Sequence, residues 1–415
     1  MARKANGESS IHRDPKGRWH GYVSAGHGQD GAPDRRHVSG KTRAEVVAKV
    51  RELERKRDAG TIPIAGPQLN VGDWLDHWLS IAKRSVRVAT YTGYESGVRN
   101  HLKPMLGHHR LDRLQPEHLE AFYIHLADAK GLSPAMQLQQ HRIISRALKV
   151  ALQRGRVGRN VATLVAAPSL KRTEVLPFTA EEARKILRAA QSRPNPARWS
   201  VALALGLRQG EALGARWQDV DLDAGTWRVT QALQRQAFRH GCGNQPCDRT
   251  PLQCPQRVGG LVFVESKSAK GRRALALPAQ LRAALRTHLQ EQQHERDAAG
   301  NLWQDHGLVF CKPLGNPIDP SHDWSEWKAL LTAAGVRDAR LHDARHTAAT
   351  LLLEQGVDAR IVMEILGHSQ ISLTQNTYQH VMPAVLADAT DRVAQVLFGP
   401  TATTTAPGPD KREAP

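Results

Sequence analysis

Two proline-bounded segments divide this sequence into stretches with different residue patterns. The first is Thr61-Ile-Pro-Ile-Ala-Gly-Pro67, and the second is Pro168-Ser-Leu-Lys-Arg-Thr-Glu-Val-Leu-Pro177. Proline favours extended backbone and interrupts regular structure, so segments of this kind are typical of linkers. A chain of 415 residues is also longer than a single hydrophobic core usually supports. The sequence therefore predicts several domains joined in series.

The pattern of each stretch predicts a mainly α fold with small β-sheets, in the α+β class. Residues 1–65 hold three short alternating runs and then a helical pattern over Thr42–Asp58, which predicts a small three-stranded sheet with one helix. Residues 66–167 repeat apolar side chains at helical spacing, which predicts a helical domain. The clearest such stripe consists of Trp74, Leu75, Trp78 and Leu79.

The second half of the chain predicts a mixed α/β domain. Residues 168–178 form the linker, and Thr179 with Glu182 matches a capping box at the start of the first helix. The domain extends over residues 179–398. Residues 399–415 are small and polar with several prolines, and we expect this tail to be disordered.

Charge indicates the kind of partner. Lysine and arginine number 58 against 40 acidic residues, giving a formal net charge of +18 and a pI near 10.2. Such an excess favours salt-sensitive binding to nucleic acid, whereas charge runs that form only a solvated face are the alternative. The sequence shows no apolar run of membrane-spanning length and no secretory signal, and four cysteines make no disulfide framework. We therefore expect a cytoplasmic protein without a membrane partner.

Three short motifs near the C-terminus carry the residues of a phosphoryl-transfer site. They are Leu341-His-Asp-Ala-Arg-His-Thr, Leu366-Gly-His-Ser and Thr377-Tyr-Gln-His, and Gly206-Leu-Arg-Gln-Gly-Glu lies far upstream. Two guanidinium groups can hold the charge of a phosphodiester in its transition state. A tyrosine hydroxyl beside a base can attack the phosphorus, and a lysine or histidine can protonate the leaving oxygen. The chemistry needs no metal.

The order of these residues resembles the active site of the tyrosine recombinase (phage integrase) family. The matching positions are Arg208, Lys267, His342, Arg345, His368 and Tyr378, with Glu211 as the acidic helper. The resemblance implies that Tyr378 forms a covalent 3′-phosphotyrosyl link while Arg208, Arg345 and His368 hold the phosphate. It also implies that Lys267 protonates the leaving 5′-oxygen and that His342 accepts the tyrosine proton. Glu211 would orient the cluster. No cofactor is implied for catalysis.

The resemblance also implies a biological role. It implies a site-specific recombinase or integrase that inserts or excises a phage (viral) genome or another mobile element. Such an enzyme acts as a homotetramer on core and arm attachment sites, with a host bending protein or an excision factor as a further partner, at the nucleoid. The N-terminal stretch is similar to the arm-type DNA-binding domain of many phage integrases, and residues 66–167 to the core-binding (SAM-like) domain. For the N-terminal stretch, a domain for protein contacts is the alternative.

Two assignments have close alternatives. The family's lysine lies in a turn between two strands, and Val262-Phe-Val-Glu with Arg273-Ala-Leu-Ala-Leu-Pro is interpreted as that hairpin. Lys267 matches the motif best, and Lys270 lies in the same turn. In the helical domain, three basic residues can face DNA phosphates or only solvent: Arg142, Arg146 and Lys149.

A cysteine-rich segment departs from the family pattern. His240-Gly-Cys-Gly-Asn-Gln-Pro-Cys, with Cys254 further on, interrupts the strand region after Trp227. Three thiols and an imidazole can complete a tetrahedral structural zinc site formed by His240, Cys242, Cys247 and Cys254, although the spacing differs from the usual short knuckle. A plain loop with free thiols is the alternative. Cys311 lies elsewhere and is interpreted as a buried apolar residue.

Three other functions fit parts of the sequence. A type IB topoisomerase-like enzyme would use the same chemistry to reseal one strand, but it needs no second DNA-binding domain at the N-terminus. A catalytically silent DNA-binding regulator of the same fold would be expected to lack some active-site residues, and here the set is complete. A metal-dependent nuclease would need clustered acidic ligands that the sequence does not offer.

Overall fold

The structure, a computed structural model, describes residues 9–27, 33–58, 69–170, 176–243, 247–265 and 272–367, with 390, 393, 396, 397 and 399. The chain divides into two units, Met1–Thr173 and Glu174–Pro415. Helices and small antiparallel sheets make up both units, which confirms the predicted α+β class. Among the described residues, no helix has the length and apolar character needed to cross a membrane.

The first unit begins with a three-stranded sheet and one helix, as the alternation predicted. The strands β1 (Ser10–Arg13), β2 (Trp19–His27) and β3 (Pro33–Gly40) pair antiparallel in chain order, and α1 (Arg43–Asp58) packs on β2. Val46 and Val50 of α1 form a small core with Val23. A Cβ at Gly21 would lie 2.6 Å from the Val50 side chain, so only glycine permits this close packing.

Five helices follow: α2 (Val71–Ser85), α3 (Val88–Gly97), α4 (Lys103–Leu106), α5 (Pro116–Asp128) and α6 (Pro134–Gln153). The predicted stripe of α2 is buried, and the indole N–H of Trp74 donates to the carbonyl oxygen of Ala147 in α6 at 3.0 Å. The hydroxyl of Ser133 caps α6, where Pro134 takes the first turn. One apolar core thus joins these helices.

The second unit combines seven helices with two small sheets in its described part. The helices are α7 (Ala180–Ala190), α8 (Pro196–Ala204), α9 (Gln209–Leu213), α10 (Ala279–Ala299), α11 (Pro320–Ala333), α12 (Leu341–Glu354) and α13 (Ala359–Leu366). The strands are β4 (Val220–Asp221), β5 (Thr226–Val229), β6 (Gln231–Arg239), β7 (Val258–Glu265) and β8 (Arg273–Ala276). Thr179 and Glu182 form the predicted capping box at the start of α7.

The predicted hairpin between β7 and β8 is wrong. Both strands exist, but β7 pairs with β6 and β8 pairs with β5. Glu265 lies opposite Gln231, and Arg273 lies opposite Val229. β5 and β6 follow each other almost without a break and together form one long ribbon. Because β7 and β8 each pair antiparallel with this ribbon, they run in the same direction. The partners of Glu265 and Arg273, which are Gln231 and Val229, are two positions apart on that ribbon.

The buried faces of α12 and α13 are narrow. On α12 the buried leucine is Leu353, whereas Leu351 and Leu352 are half-buried. On α13, Val362 and Leu366 are buried, but Ile361 is 51% exposed. α12 packs on α13 along a narrow stripe that continues from Ala349 to Leu353. Apolar side chains beside this stripe therefore stay partly exposed.

Candidate active site

Arg208 lies directly before the first turn of α9, and its side chain folds back on that helix. Its Nη1 donates to Oε1 of Glu211 at 2.6 Å, and its backbone N–H donates to Oε2 at 3.1 Å. Its Nη2 donates to the carbonyl oxygen of Gly367 at 2.9 Å. The side chain of Arg208 remains 41% exposed. Arg208 is therefore held in a fixed position with part of its guanidinium facing solvent.

Arg345 is the buried arginine of the group. It lies in the first half of α12 and is only 3% exposed. Its Nη1 donates to the carbonyl oxygen of Gly206 at 2.7 Å, and its Nη2 donates to that of Leu366. Arg208 and Arg345 thus bind adjacent carbonyls at the end of α13. The predicted site residue His368 follows Gly367 in the chain.

Gly206 makes the approach of these elements possible. Its φ is +59°, and a Cβ there would lie 2.6 Å from the Leu366 side chain and 3.4 Å from Cγ of Arg345. A side chain at this position would be strained by its backbone conformation and would push α12 and α13 away. The glycine before Arg208 therefore belongs to the architecture of the site.

Arg273 is a member of the site that the sequence reasoning missed. It is the first residue of β8, and its Nη2 donates to Oε2 of Glu211 at 2.9 Å. Its Nε donates to the carbonyl oxygen of Ile365 at 2.7 Å. A buried arginine at the start of a strand leaves no local signal. Its sequence separation of 62 from Glu211 hides the contact as well.

The charges in this cluster leave an excess of positive charge. In the described part of the site, the carboxylate of Glu211 faces three guanidinium groups, those of Arg208, Arg273 and Arg345. Burial opposes ionisation of Glu211, but hydrogen bonds and charge from Arg273 and Arg208 outweigh it and lower its pKa. Burial, together with Arg208, lowers the pKa of Arg345 to about 9, so the guanidinium form still dominates at neutral pH. The cluster is suited to binding an anion.

His342 lies one turn before Arg345 on α12. Desolvation by the surrounding protein, with His346 and Arg345 as further causes, lowers the pKa of His342 to about 4, although the residue keeps an exposed edge. The rings of His342 and His346 meet edge to face at 5.2 Å between centroids. A neutral imidazole can accept a proton, so the ring is in the form that a general base requires.

A buried ion pair supports the start of α9. Arg198 on α8 donates from Nε and Nη2 to the two carboxylate oxygens of Asp323 on α11, at 3.2 and 3.0 Å. Gln209, the first residue of α9, donates to the same carboxylate at 3.0 Å. This network fixes the backbone next to Arg208. No sequence motif indicates this network.

The remaining predicted residues fall into four groups. Four lie outside the described residues, and they are Lys267, its alternative Lys270, His368 and Tyr378. Arg142, Arg146 and Lys149 are exposed together on α6, opposite its buried face, and the Arg146 guanidinium lies 5.8 Å from the Tyr94 ring centroid. Cys311 is buried, as expected. The ligand atoms of His240, Cys242, Cys247 and Cys254 all lie within 4.8 Å of one another.

Comparisons with known proteins find relatives that align with most of this chain. The sequence model described as the phage integrase family matches residues 252–384, and that of the phage integrase N-terminal SAM-like domain matches residues 70–127. An integrase from Saccharopolyspora erythraea is 43% identical, with 96% of this chain and 98% of the relative aligned. A XerC-like tyrosine recombinase from Caldanaerobacter subterraneus subsp. tengcongensis is 29% identical, over 89% and 94% of the two chains.

Solved structures show the same fold. The Tn1549 transposon integrase, determined in complex with a circular intermediate DNA, superposes with a TM-score of 0.62 at 18% identity, over 79% of this chain and all of that chain. A lambda integrase dimer bound to a core site superposes with a TM-score of 0.53 at 14% identity, over 91% and 96%.

Proposed function

This chain belongs to the phage integrase family of tyrosine-type site-specific recombinases, and from that premise we propose that it integrates or excises a phage or another mobile element through a 3′-phosphotyrosyl intermediate. The observation that carries the proposal is the arginine cluster around Glu211. Arg208 and Arg345 meet there, and both bind the backbone immediately before His368. Guanidinium groups held in a partly desolvated site stabilise phosphoryl charge more strongly than they would in water.

In the first step, the hydroxyl oxygen of Tyr378 attacks a DNA phosphorus. The bond from phosphorus to the 5′-oxygen breaks as the tyrosyl bond forms, which leaves a 3′-phosphotyrosyl link and a free 5′-hydroxyl. Arg208 and Arg345 hold the non-bridging oxygens, and His368 donates a further hydrogen bond. The excess of positive charge around Glu211 supports this role.

Two proton transfers accompany the attack. His342, whose ring is neutral and therefore able to accept a proton, takes up the proton of the Tyr378 hydroxyl. Lys267 donates a proton to the leaving 5′-oxygen. Glu211 orients the arginines. Only side chains are needed for these steps, and the phosphodiester energy is conserved in the tyrosyl bond.

In the second step, the 5′-hydroxyl of a partner strand attacks the phosphotyrosyl link and releases Tyr378. Two rounds of exchange through a four-way junction recombine two sites, which requires a homotetramer on two DNA segments. Double-stranded DNA as the partner is supported by the Tn1549 and lambda integrases, whose structures were determined with DNA bound. The net charge of +18 supports it as well.

The N-terminal sheet and the helical segment supply the DNA-binding surfaces in this proposal. The three-stranded sheet with α1 would bind arm sites, and the exposed face of α6 with Arg142, Arg146 and Lys149 would contact phosphates of the core site. A host bending protein or an excision factor would bring arm and core sites together. The enzyme would act at the nucleoid in the cytoplasm.

A nicked suicide substrate carrying the attachment site tests the chemistry. Loss of the short strand at the nick prevents religation, so a covalent protein–DNA adduct accumulates with the wild type and is resolved by denaturing electrophoresis. Tyr378→Phe should form no adduct and should still bind the DNA. Tyr123→Phe is the matched control, because burial raises the pKa of Tyr123 and makes it a poor nucleophile; this variant should form the adduct.

Three results would contradict parts of the proposal. An adduct with Tyr378→Phe would assign the nucleophile to another residue. DNA binding by the wild type without any adduct would favour a regulator of the same fold. An adduct followed only by resealing of the same strand, scored as plasmid relaxation without recombinants, would favour topoisomerase-like activity.

A further inference from the structure

The loop between β6 and β7 brings together three thiols and one imidazole. Cys242 Sγ lies 4.0 Å from Cys247 Sγ and 3.9 Å from Cys254 Sγ. Nδ1 of His240 lies 3.5 Å from Cys247 Sγ and 3.8 Å from Cys242 Sγ. All four ligand atoms lie within 4.8 Å of one another. We propose that these four side chains bind one Zn²⁺ as a structural site.

The distances match the edges of a ligand tetrahedron. With bonds of about 2.3 Å to sulfur and about 2.05 Å to nitrogen, a tetrahedral site has sulfur–sulfur edges of about 3.8 Å and sulfur–nitrogen edges of about 3.6 Å. The four separations given in the preceding paragraph differ from these edges by a few tenths of an ångström, and the other two lie within 4.8 Å. They are far from the roughly 2.05 Å of a disulfide bond, and all three cysteines are free. The geometry therefore favours a metal over a disulfide.

The backbone is shaped to bring the ligands together. A Cβ at Gly241, between the first two ligands, would lie 2.0 Å from the carbonyl oxygen of Gln256, so only glycine fits where these two backbone segments cross. Gly243 follows Cys242 with a φ of +62°, a conformation that favours glycine. The backbone N–H groups of Gly241 and Gln256 hydrogen-bond to the Cys254 sulfur. Such contacts stabilise a metal-bound thiolate.

The loop has little else to hold its fold. Across residues 240–257 the only large aliphatic side chain is Leu252, and it is exposed. The sulfur of Cys254 is buried, yet no hydrophobic cluster of the described residues includes any part of this loop. A segment without a core needs another crosslink to be ordered. Three thiolates and one imidazole in tetrahedral arrangement select zinc over metals that prefer oxygen or square-planar ligands.

Metal analysis of the full chain tests the proposal. The protein is purified without chelator, dialysed with a small excess of Zn²⁺ and then against metal-free buffer, and its zinc is measured by mass spectrometry. One zinc per chain is expected. Cys247→Ser should weaken zinc binding by more than about 100-fold, since one of the four side chains that bind the metal directly is lost. Cys311→Ala is the matched control, because this thiol lies outside the cluster and bonds to Gln292; it should keep its zinc.

Two further readouts do not depend on the variants folding well. Replacing zinc by Co²⁺ in the wild type should give the strong charge-transfer absorption of several thiolate ligands in a tetrahedral site. Removing the metal with a chelator should expose the loop to trypsin at Arg249, which is on the surface. A wild type that retains neither zinc nor Co²⁺ would overturn the proposal, and so would equal zinc content in the wild type and Cys247→Ser.

Discussion

Glu211 is the residue on which the electrostatics of the site depend. Its buried carboxylate accepts hydrogen bonds from Arg208 and Arg273. Without it, three guanidinium groups would lie together in a partly desolvated space, where like charges repel strongly. One carboxylate reduces that repulsion without cancelling it. The remaining positive charge is available to an anion.

A residue-scale prediction concerns the protonation of His342. Because its folded pKa is about 4 and its ordinary value is 6.5, the ring should be neutral from pH 5.5 to 8. The unfolded chain takes up this proton between pH 6.5 and 4, so the contribution of His342 to stability is present above pH 6.5 and is lost as pH falls through that window. NMR titration of the ring, assigned with His342→Asn, measures it. A midpoint near 6.5 would contradict the prediction.

The residues of the site differ in how far sequence can predict them. Arg208, Glu211 and Arg345 were found because their order along the chain matches a family pattern, and the structure brings them together. Arg273 was not found, because its contact depends on strand register. The strand pairing was itself predicted wrongly, since β7 and β8 carry the right alternation but pair with β6 and β5 and not with each other. Alternation predicts strands and does not choose their neighbours.

At the scale of elements, two helices of the site begin in the same way. α9 is preceded by Arg208, and α12 is preceded by Arg340. In each helix the acidic residue at the third position accepts hydrogen bonds from the backbone N–H and from the guanidinium of the preceding arginine. Arginine is not a favoured residue at the position directly before a helix. The carboxylates of Glu211 and Asp343 compensate, because each satisfies a free N–H and fixes a side chain.

An element-scale prediction concerns the ion pair that joins α8 to α11. Asp323→Ala leaves Arg198 buried without a counter-charge and removes an acceptor of Gln209. The free energy of unfolding should fall by about 3–5 kcal/mol. Asp338→Ala is the control, because that carboxylate is 79% exposed in its pair with Lys328, and exposed pairs contribute at most about 1 kcal/mol. Urea unfolding followed by tryptophan fluorescence compares the two, and equal losses would contradict the prediction.

This ion pair could not be predicted from the sequence. Arg198 and Asp323 are 125 residues apart, and neither stands in a motif. Other helices were predictable from local signals, as the capping box of Thr179 and Glu182 at the start of α7 illustrates. Which helix faces which depends on packing across the whole core, and that information is not local.

At the scale of the whole molecule, positive charge is in excess throughout the sequence. The formal net charge of +18 should make DNA affinity fall steeply with salt. The effect of charges that contact DNA can be distinguished from the effect of net charge. A basic residue that contacts a phosphate releases a counterion from the DNA, whereas a basic residue far from the DNA does not. The exposed face of α6 offers such a test.

The whole-molecule prediction compares two triple variants. Replacing Arg142, Arg146 and Lys149 by alanine should make the slope of log affinity against log salt shallower by about 2.7, at about 0.9 per phosphate contact. Replacing Arg184, Lys185 and Arg188 of α7, which are also exposed, removes the same formal charge and should change the slope less. Fluorescence anisotropy with labelled core-site DNA measures both. Equal changes would indicate that net charge alone is responsible.

The ladder formed by β5 and β6 with β7 and β8 has a consequence for how such a chain can vary in evolution. Glu265 and Arg273 pair with residues only two apart on the partner ribbon, so the intervening segment can lengthen or shorten without moving any cross-strand pair on either side. Insertions and deletions there would leave Arg273 against Glu211. The reach of Lys267 or Lys270 could therefore be tuned among descendants of this chain, or by a protein engineer, independently of the arginine cluster.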